Sequence, residues 1–186
     1  IVRGGAFLDV PLEAHVATYR VNTLGVATMT HAFLPQLISR TDAHLVFLAS
    51  AAGLVGLPYG SSYASSKWSV VGLAESLRLE LNELGHRHVH VTIVCPSFVT
   101  TGMFHGALAP RLTRPLTPDR LARAVAEAVL ANRSTLLTPW LVRLTPFLRG
   151  VLPQAAFDAL ARLFGVTTSM AGWRGRDPNQ RKSHPE

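Results

Sequence analysis

Three short apolar runs, at 44–50 (HLVFLAS), 88–95 (HVHVTIVC, rich in β-branched residues) and 134–138 (STLLT), each follow a longer segment of helical spacing. This alternation is the strongest constraint on the fold. Strands separated by crossover helices pair in parallel, and a parallel sheet takes helices on its faces. The expected class is α/β, a doubly wound parallel sheet of the Rossmann-like kind. The first run reads as a strand covered on both faces, because it has almost no polar residue to turn outward.

The helical segments supply the detail. Over 11–40, Val16, Tyr19, Val21, Leu24, Val26, Met29, Phe33 and Leu37 recur at helical spacing with Pro11 at a first-turn position, so one long helix is expected, bent or frayed near Pro35. Over 62–84 the stripe is Val70, Leu73, Leu77 and Leu81, and Gly85 is placed to end the helix. Thr117 and Pro118 together mark the start of a third helix running to 131. Beyond Pro139 lie two apolar segments, 140–148 and 152–164, carrying Arg143, Arg149 and Arg162. They suit a helical lid, a pocket wall or an amphipathic surface element. The expected division is one α/β domain over 1–172 and a flexible basic tail over 173–186.

With 186 residues, 48% hydrophobic and 16% charged, the chain has enough apolar material for one core. Every apolar stretch is broken well short of the ~20 residues that cross a bilayer. The net charge of +7 invites an acidic partner, but the basic residues are scattered singly, without the aromatic platforms of a single-strand binder, and nucleic acid is not expected. Cys95 is the single cysteine, which excludes an internal disulfide and fits a reducing, cytoplasmic setting. Beside Pro96 it reads as a small buried apolar residue rather than a reactive thiol. His86, His88 and His90 alternate and would share a strand face, yet no carboxylate or thiol stands at ligand spacing, so no metal site is expected.

The chemistry concentrates in Tyr63-Ala64-Ser65-Ser66-Lys67. Residues four apart rise from one helix face, so the phenol and the ammonium can approach each other. A nearby cation favours phenolate and lowers the phenol pKa from about 10, which would let Tyr63 exchange a proton near neutrality. Ser50 stands thirteen positions earlier at the carboxyl end of the first strand, where ligands bind in open α/β sheets. Its hydroxyl is therefore expected beside the Tyr63 phenol. Asn22, in Val21-Asn22-Thr23, is an amide in an apolar helix and needs partners, expected to be a water and a backbone group.

With Asn22, Ser50, Tyr63-x-x-x-Lys67 and the post-strand segment Pro96-Ser97-Phe98-Val99-Thr100-Thr101-Gly102-Met103, the chain resembles the short-chain dehydrogenase/reductase family over nearly its whole length. Ser97 stands where that family usually has Gly. The SFVTTGMF segment and the FGV near the end are most similar to the branch of retinol and 17β-hydroxysteroid dehydrogenases. The resemblance implies NAD or NADP as cofactor and a lipophilic alcohol or carbonyl as substrate. It implies Tyr63 as general acid/base, Lys67 on the nicotinamide ribose, Ser50 on the substrate oxygen and Asn22 holding a water. Pro96, Val99 and Thr101 would line the nicotinamide end. A homodimer or homotetramer is implied, and the apolar segments over 140–148 and 152–164 suit contact with a membrane or lipid surface. The family's Gly-rich turn and Asn-Asn-Ala-Gly strand end would precede Ile1, so the chain is expected to be the catalytic half of such an enzyme and inactive alone. The rival expectation is a non-catalytic scaffold of the same fold.

Overall fold

The middle of the sheet is a strand that is buried almost throughout, and the rest of the molecule is arranged around it. In the computed structural model, which describes residues 1–175, β2 (Val89–Pro96) lies between β1 (Ala43–Leu48) and β3 (Thr135–Thr138), all parallel. Ala43 stands opposite Val89 and Leu48 opposite Val94, while Ile93 to Pro96 face Thr135 to Thr138. Each crossover carries a helix: α3 (Ser61–Glu83) links β1 to β2, and α4 (Pro118–Leu130) links β2 to β3. The chain opens with α1 (Leu12–Tyr19) and α2 (Gly25–Ile38) and closes with α5 (Trp140–Val151) and α6 (Gln154–Leu163).

Side chains alternate across the strands, so β2 feeds two cores. Val89, Val91, Ile93 and Cys95 join Ala43 and Phe47 under Val70, Ala74 and Leu81 of α3, with Val26, Leu34, Leu37 and Ile38 of α2 packed beside them. On the opposite face Val94 and Leu136 meet Ala128 of α4. Burial of a side chain such as Leu81 stabilises the fold by roughly 1.5–3 kcal/mol, so α3 is held to the sheet by its stripe rather than by helix propensity.

The helix ends follow local chemistry. Gly85 has φ +83°, the left-handed conformation glycine adopts freely, and the amide of His86 closes back onto the Leu81 carbonyl at 2.8 Å. Thr117 caps α4 by accepting from the Arg120 amide at 3.4 Å. Gly53 meets a different demand. A Cβ there would lie 2.8 Å from the Lys67 carbonyl oxygen, so only glycine lets the loop after β1 lie against α3.

Three expectations need correction. The single helix over 11–40 is interrupted by a π-helical turn, Arg20–Leu24, between α1 and α2. The wider turn carries Asn22, the turn's buried residue, among polar partners of α3 and the chain start, which outweigh ideal winding. Second, β1 is not covered on both faces. Val46 and Leu48 are exposed, since among the described residues β1 pairs with β2 alone and no helix lies over those two side chains. Third, the tail does not begin at 173. Trp173 packs beside Val2, Tyr63 and Met170 and donates from Nε1 to the Met103 carbonyl at 3.1 Å. The remainder of the expected tail, 176–186, lies outside the described residues.

Candidate active site

The carboxyl end of β1 and the first turns of α3 converge on one spot. Ser50 has an extended backbone and caps the short 3₁₀ turn Ala51–Gly53, its Oγ accepting from the Ala52 amide at 3.1 Å. Tyr63 and Lys67 stand one helical turn apart in α3, with the Lys67 ammonium 5.9 Å from the Tyr63 ring centre. The ammonium donates to the Leu48 carbonyl at 2.9 Å. One of its three donors is thereby used and the others remain for a ligand hydroxyl. The Tyr63 ring is buried against the edge of Phe104, with ring centres 5.7 Å apart, and Tyr63 shares the cavity floor with Ser50, whose hydroxyl favours the ionised phenol.

Asn22 joins this group from the π turn. Its Nδ2 donates to the Ile1 carbonyl at 2.8 Å and to Ser66 Oγ at 3.0 Å, and its Oδ1 accepts from the Ile1 amino group at 2.6 Å. Ser66 in turn donates to the Tyr63 carbonyl at 2.7 Å. The amide's partners therefore include a backbone group, as expected, and the Ser66 hydroxyl. Sequence reasoning missed Ser66. It also missed His15, which is buried and hydrogen-bonded through Nδ1 to Ser62 Oγ and through Nε2 to the Phe7 carbonyl at 3.0 Å. The carbonyl accepts from Nε2–H, so Nδ1 is the acceptor for the Ser62 hydroxyl. These bonds fix the α3 turn that presents Tyr63, and neither residue carries a spacing signal.

The electrostatics depart from the sequence reading. Burial pushes the Tyr63 phenol above its ordinary range, and the Ser50 hydroxyl offsets this only in part. Burial likewise pulls the Lys67 ammonium down. Desolvation dominates both groups, so the phenol lies above rather than below its ordinary range. Cys95, at the end of β2, is buried with its thiol pushed up to about 11 by desolvation, which makes it inert.

A cavity of about 120 Å³ opens directly above Ser50 and Tyr63. Its walls come from Ser97 and Phe98 after β2, from Phe104, Pro110 and Thr113, and from the inner faces of α5 and α6. Leu141, Val142 and Leu148 of α5 and Phe157 and Leu160 of α6 make the lining overwhelmingly apolar. The terminal segments are thus a pocket wall, one of the three expected readings. Pro96, Val99 and Thr101 lie outside the lining of this cavity. Pro96 is buried at the end of β2, Val99 bridges to Leu116, Thr101 is exposed, and the cavity takes Ser97 and Phe98 instead.

His90 parts from the other two histidines, whose rings meet edge to face at 5.9 Å. His86 and His88 precede β2, with His88 Nε2 bonded to the Ile38 carbonyl at 2.9 Å, while His90 stacks on His44 and lies 3.6 Å from Asp42. Among the described residues no group of three His, Cys, Asp or Glu side chains stands close enough to hold a metal.

Comparison with known proteins decides what this arrangement belongs to. Residues 1–111 match the family described as short chain dehydrogenase. The chain belongs to the short-chain dehydrogenase family. The human protein named Short-chain dehydrogenase/reductase 3 is 35% identical over 178 residues, covering 95% of this chain and 58% of that protein. Mouse Epidermal retinol dehydrogenase 2 is 34% identical over 178 residues, with the same coverage of 95% and 58%. A solved short-chain dehydrogenase/reductase from Burkholderia phymatum in complex with NAD superposes with a TM-score of 0.71 at 26% identity, covering 81% of this chain and 62% of that one. The chain thus spans about 58% of the length of the curated relatives it matches.

Proposed function

We propose that this chain carries the catalytic half of an NAD(P)-dependent oxidoreductase that interconverts a lipophilic alcohol and its carbonyl. The observation that carries the reading is the meeting of the Tyr63 phenol and the Ser50 hydroxyl at the floor of an apolar cavity, with Lys67 behind them. The retinol-dehydrogenase names among the relatives and the NAD bound by the superposing structure support it.

The residues present fit a nicotinamide cofactor. Lys67 keeps donors for a ribose hydroxyl, and the strand end beside it is where nucleotides sit in such sheets. When bound, that cofactor supplies the hydride exchange. The chain's own residues handle the proton and the placement. In the reductive direction the Tyr63 phenol gives its proton to the carbonyl oxygen, and in the oxidative direction the phenolate takes it from the alcohol. Ser50 donates to the same oxygen and holds it in place. Asn22 and Ser66 fix the α3 backbone at Tyr63. Pro96, Val99 and Thr101 flank the nicotinamide end, outside the alcohol cavity. The apolar walls exclude water from the reacting oxygen, which strengthens these polar contacts. A lipophilic substrate resides in or near lipid, so surface contact with a membrane belongs to the same reading, as does a homo-oligomer.

The test titrates NADH and NADPH by fluorescence and then follows oxidation of retinoid, steroid and fatty alcohols by the full-length enzyme that contains this chain and by its Tyr63→Phe variant. Nucleotide binding with Tyr63-dependent turnover is the expected result. Failure to bind either nucleotide moves the function to a scaffold of the same fold.

A further inference from the structure

The long loop after β2 and the last described segment of the chain run antiparallel against each other. The Arg174 amide donates to the His105 carbonyl at 2.9 Å, the Leu108 amide to the Ser169 carbonyl at 2.8 Å and the Arg111 amide to the Phe164 carbonyl at 2.8 Å. Between the first two of these bonds the backbones come too close for a side chain. A Cβ on Gly106 would run into the Gly172 carbonyl oxygen, and one on Gly172 would lie 2.7 Å from the Gly106 carbonyl oxygen. Trp173 holds the end of this seam, its indole Nε1 donating to the Met103 carbonyl at 3.1 Å.

The seam reaches the reacting groups through one ring. Phe104, next to the carbonyl that Trp173 holds, meets Tyr63 edge to face with ring centres 5.7 Å apart and Phe98 in the same manner at 5.0 Å. Both sides of the seam line the cavity: Phe104, Pro110 and Thr113 from the loop, Val166 and Ser169 from the terminal segment. Apart from the bridge between Val99 and Leu116, residues 97–116 form no strand or helix of their own. The place of Phe104 over Tyr63 is therefore set by what the loop is tied to.

We propose that the segment 164–174 is a clasp that sets the loop over Tyr63 and Ser50, with Trp173 as a positioning residue for the alcohol. Trp173 acts through the Met103 carbonyl and the adjoining Phe104 ring, and so governs how the substrate is seated against the phenol. A misplacement of about 1 Å at a reacting centre can cost on the order of 100-fold, which gives a tie at this remove its leverage. The proposal rests on the alcohol-oxidoreductase reading for the substrate, but not for the tie between the two segments.

The test uses the full-length enzyme that contains this chain. Hydrogen exchange, which needs no turnover, reads the tie: Trp173→Ala is expected to speed exchange over 103–113 about tenfold or more while α3 and the sheet keep their protection. Gly172→Ala is expected to do the same by a separate route. Gly172 does not have the left-handed backbone, so its alanine variant tests the close approach alone. Gly72→Ala on α3, where a Cβ meets nothing within 4 Å, leaves the loop unchanged. Steady-state rates with a retinoid or steroid alcohol read the consequence. KM is expected to rise about tenfold in Trp173→Ala and Gly172→Ala, and about threefold in Trp173→Phe, which keeps a ring and loses the N–H donor. A merely structural role would lower the amount of folded enzyme and leave KM unmoved. Circular dichroism checks folding, and Trp173→Phe carries the test if Trp173→Ala does not fold. Loop exchange unchanged by these substitutions, or faster exchange with KM unmoved, overturns the proposal. Absence of turnover on every alcohol, with loop exchange still responding, upholds the clasp and refutes the alcohol reading instead.

Discussion

The floor and the roof of the cavity are built by different means. The floor is polar and tied to the sheet: Ser50, Tyr63 and Lys67 hang from the β1 end and α3, and their hydrogen-bond partners are chiefly backbone groups and buried side chains. The roof of α5 and α6 is apolar, and its links to the rest are few. Arg149 donates to the Leu54 carbonyl at 2.9 Å and stacks on Trp68 at 4.1 Å, and Arg111 reaches the Leu163 carbonyl at 3.4 Å. The proposed proton transfer demands fixed geometry, and its groups are anchored at the end of β1 and on α3. Selection among apolar substrates needs only shape, and packing against a few side chains supplies it.

The sharpest way to break this contrast is at the floor. Tyr63→Phe keeps the ring against Phe104 and removes the hydroxyl, so turnover is expected to fall by about 10²–10⁴-fold with stability nearly unchanged. Retention of more than about a tenth of the activity would remove Tyr63 from the role. Leu81→Ala, in the core that anchors α3, is expected to cost about 2–5 kcal/mol in denaturant unfolding and lower activity only through loss of folded protein. A roof substitution should behave oppositely. Leu148→Ala enlarges the cavity, and kcat/KM for a bulky alcohol relative to a short one is expected to rise about tenfold, with kcat for the short one unchanged. Equal effects on both substrates would show that the roof does not select.

The pH profile sharpens the comparison further. Because burial raises the Tyr63 pKa, the phenol stays protonated through neutral pH. Carbonyl reduction, which needs the proton, is therefore expected to hold at neutral pH and fall in the alkaline range. Alcohol oxidation, which needs phenolate, climbs over that same range. Steady-state rates in both directions check this, and an oxidation rate that is flat into the alkaline range contradicts it. The smallest effect is expected from Arg149→Met, which loses the Leu54 and Trp68 contacts and costs about 0.5–1 kcal/mol. Faster hydrogen exchange confined to α5 would locate it.

What was legible in the sequence follows the range of the interaction involved. The strands, α3 and its Gly85 terminus, the Thr117 cap and the Tyr63–Lys67 pair are written in spacings of a few residues, and the structure has them within a residue or two. The π turn at Asn22 was hidden, because a change of helical winding leaves the apolar pattern of α1 and α2 almost intact. Ser66 and His15 were hidden for another reason: serine and histidine inside amphipathic helices gain meaning only from what the tertiary fold sets opposite them. The direction of the Tyr63 shift depended on desolvation, which no spacing reveals. Exposure of Val46 and Leu48 escaped because a run of apolar residues states a need for cover without stating whether it is met.

The all-parallel sheet has a kinetic consequence as well. Among the described residues no strand is joined to its neighbour by a hairpin, so each of their pairings must wait until a crossover helix has formed and swung back. High contact order of this kind slows folding and prolongs exposure of unpaired strands. Ser50 and Tyr63 lie on either side of the first such crossing, in the loop that leaves β1 and the helix that returns. The proposed catalytic pair is therefore completed only when that slow closure succeeds, and a nascent chain lacks the proposed chemistry until β1 and β2 have met.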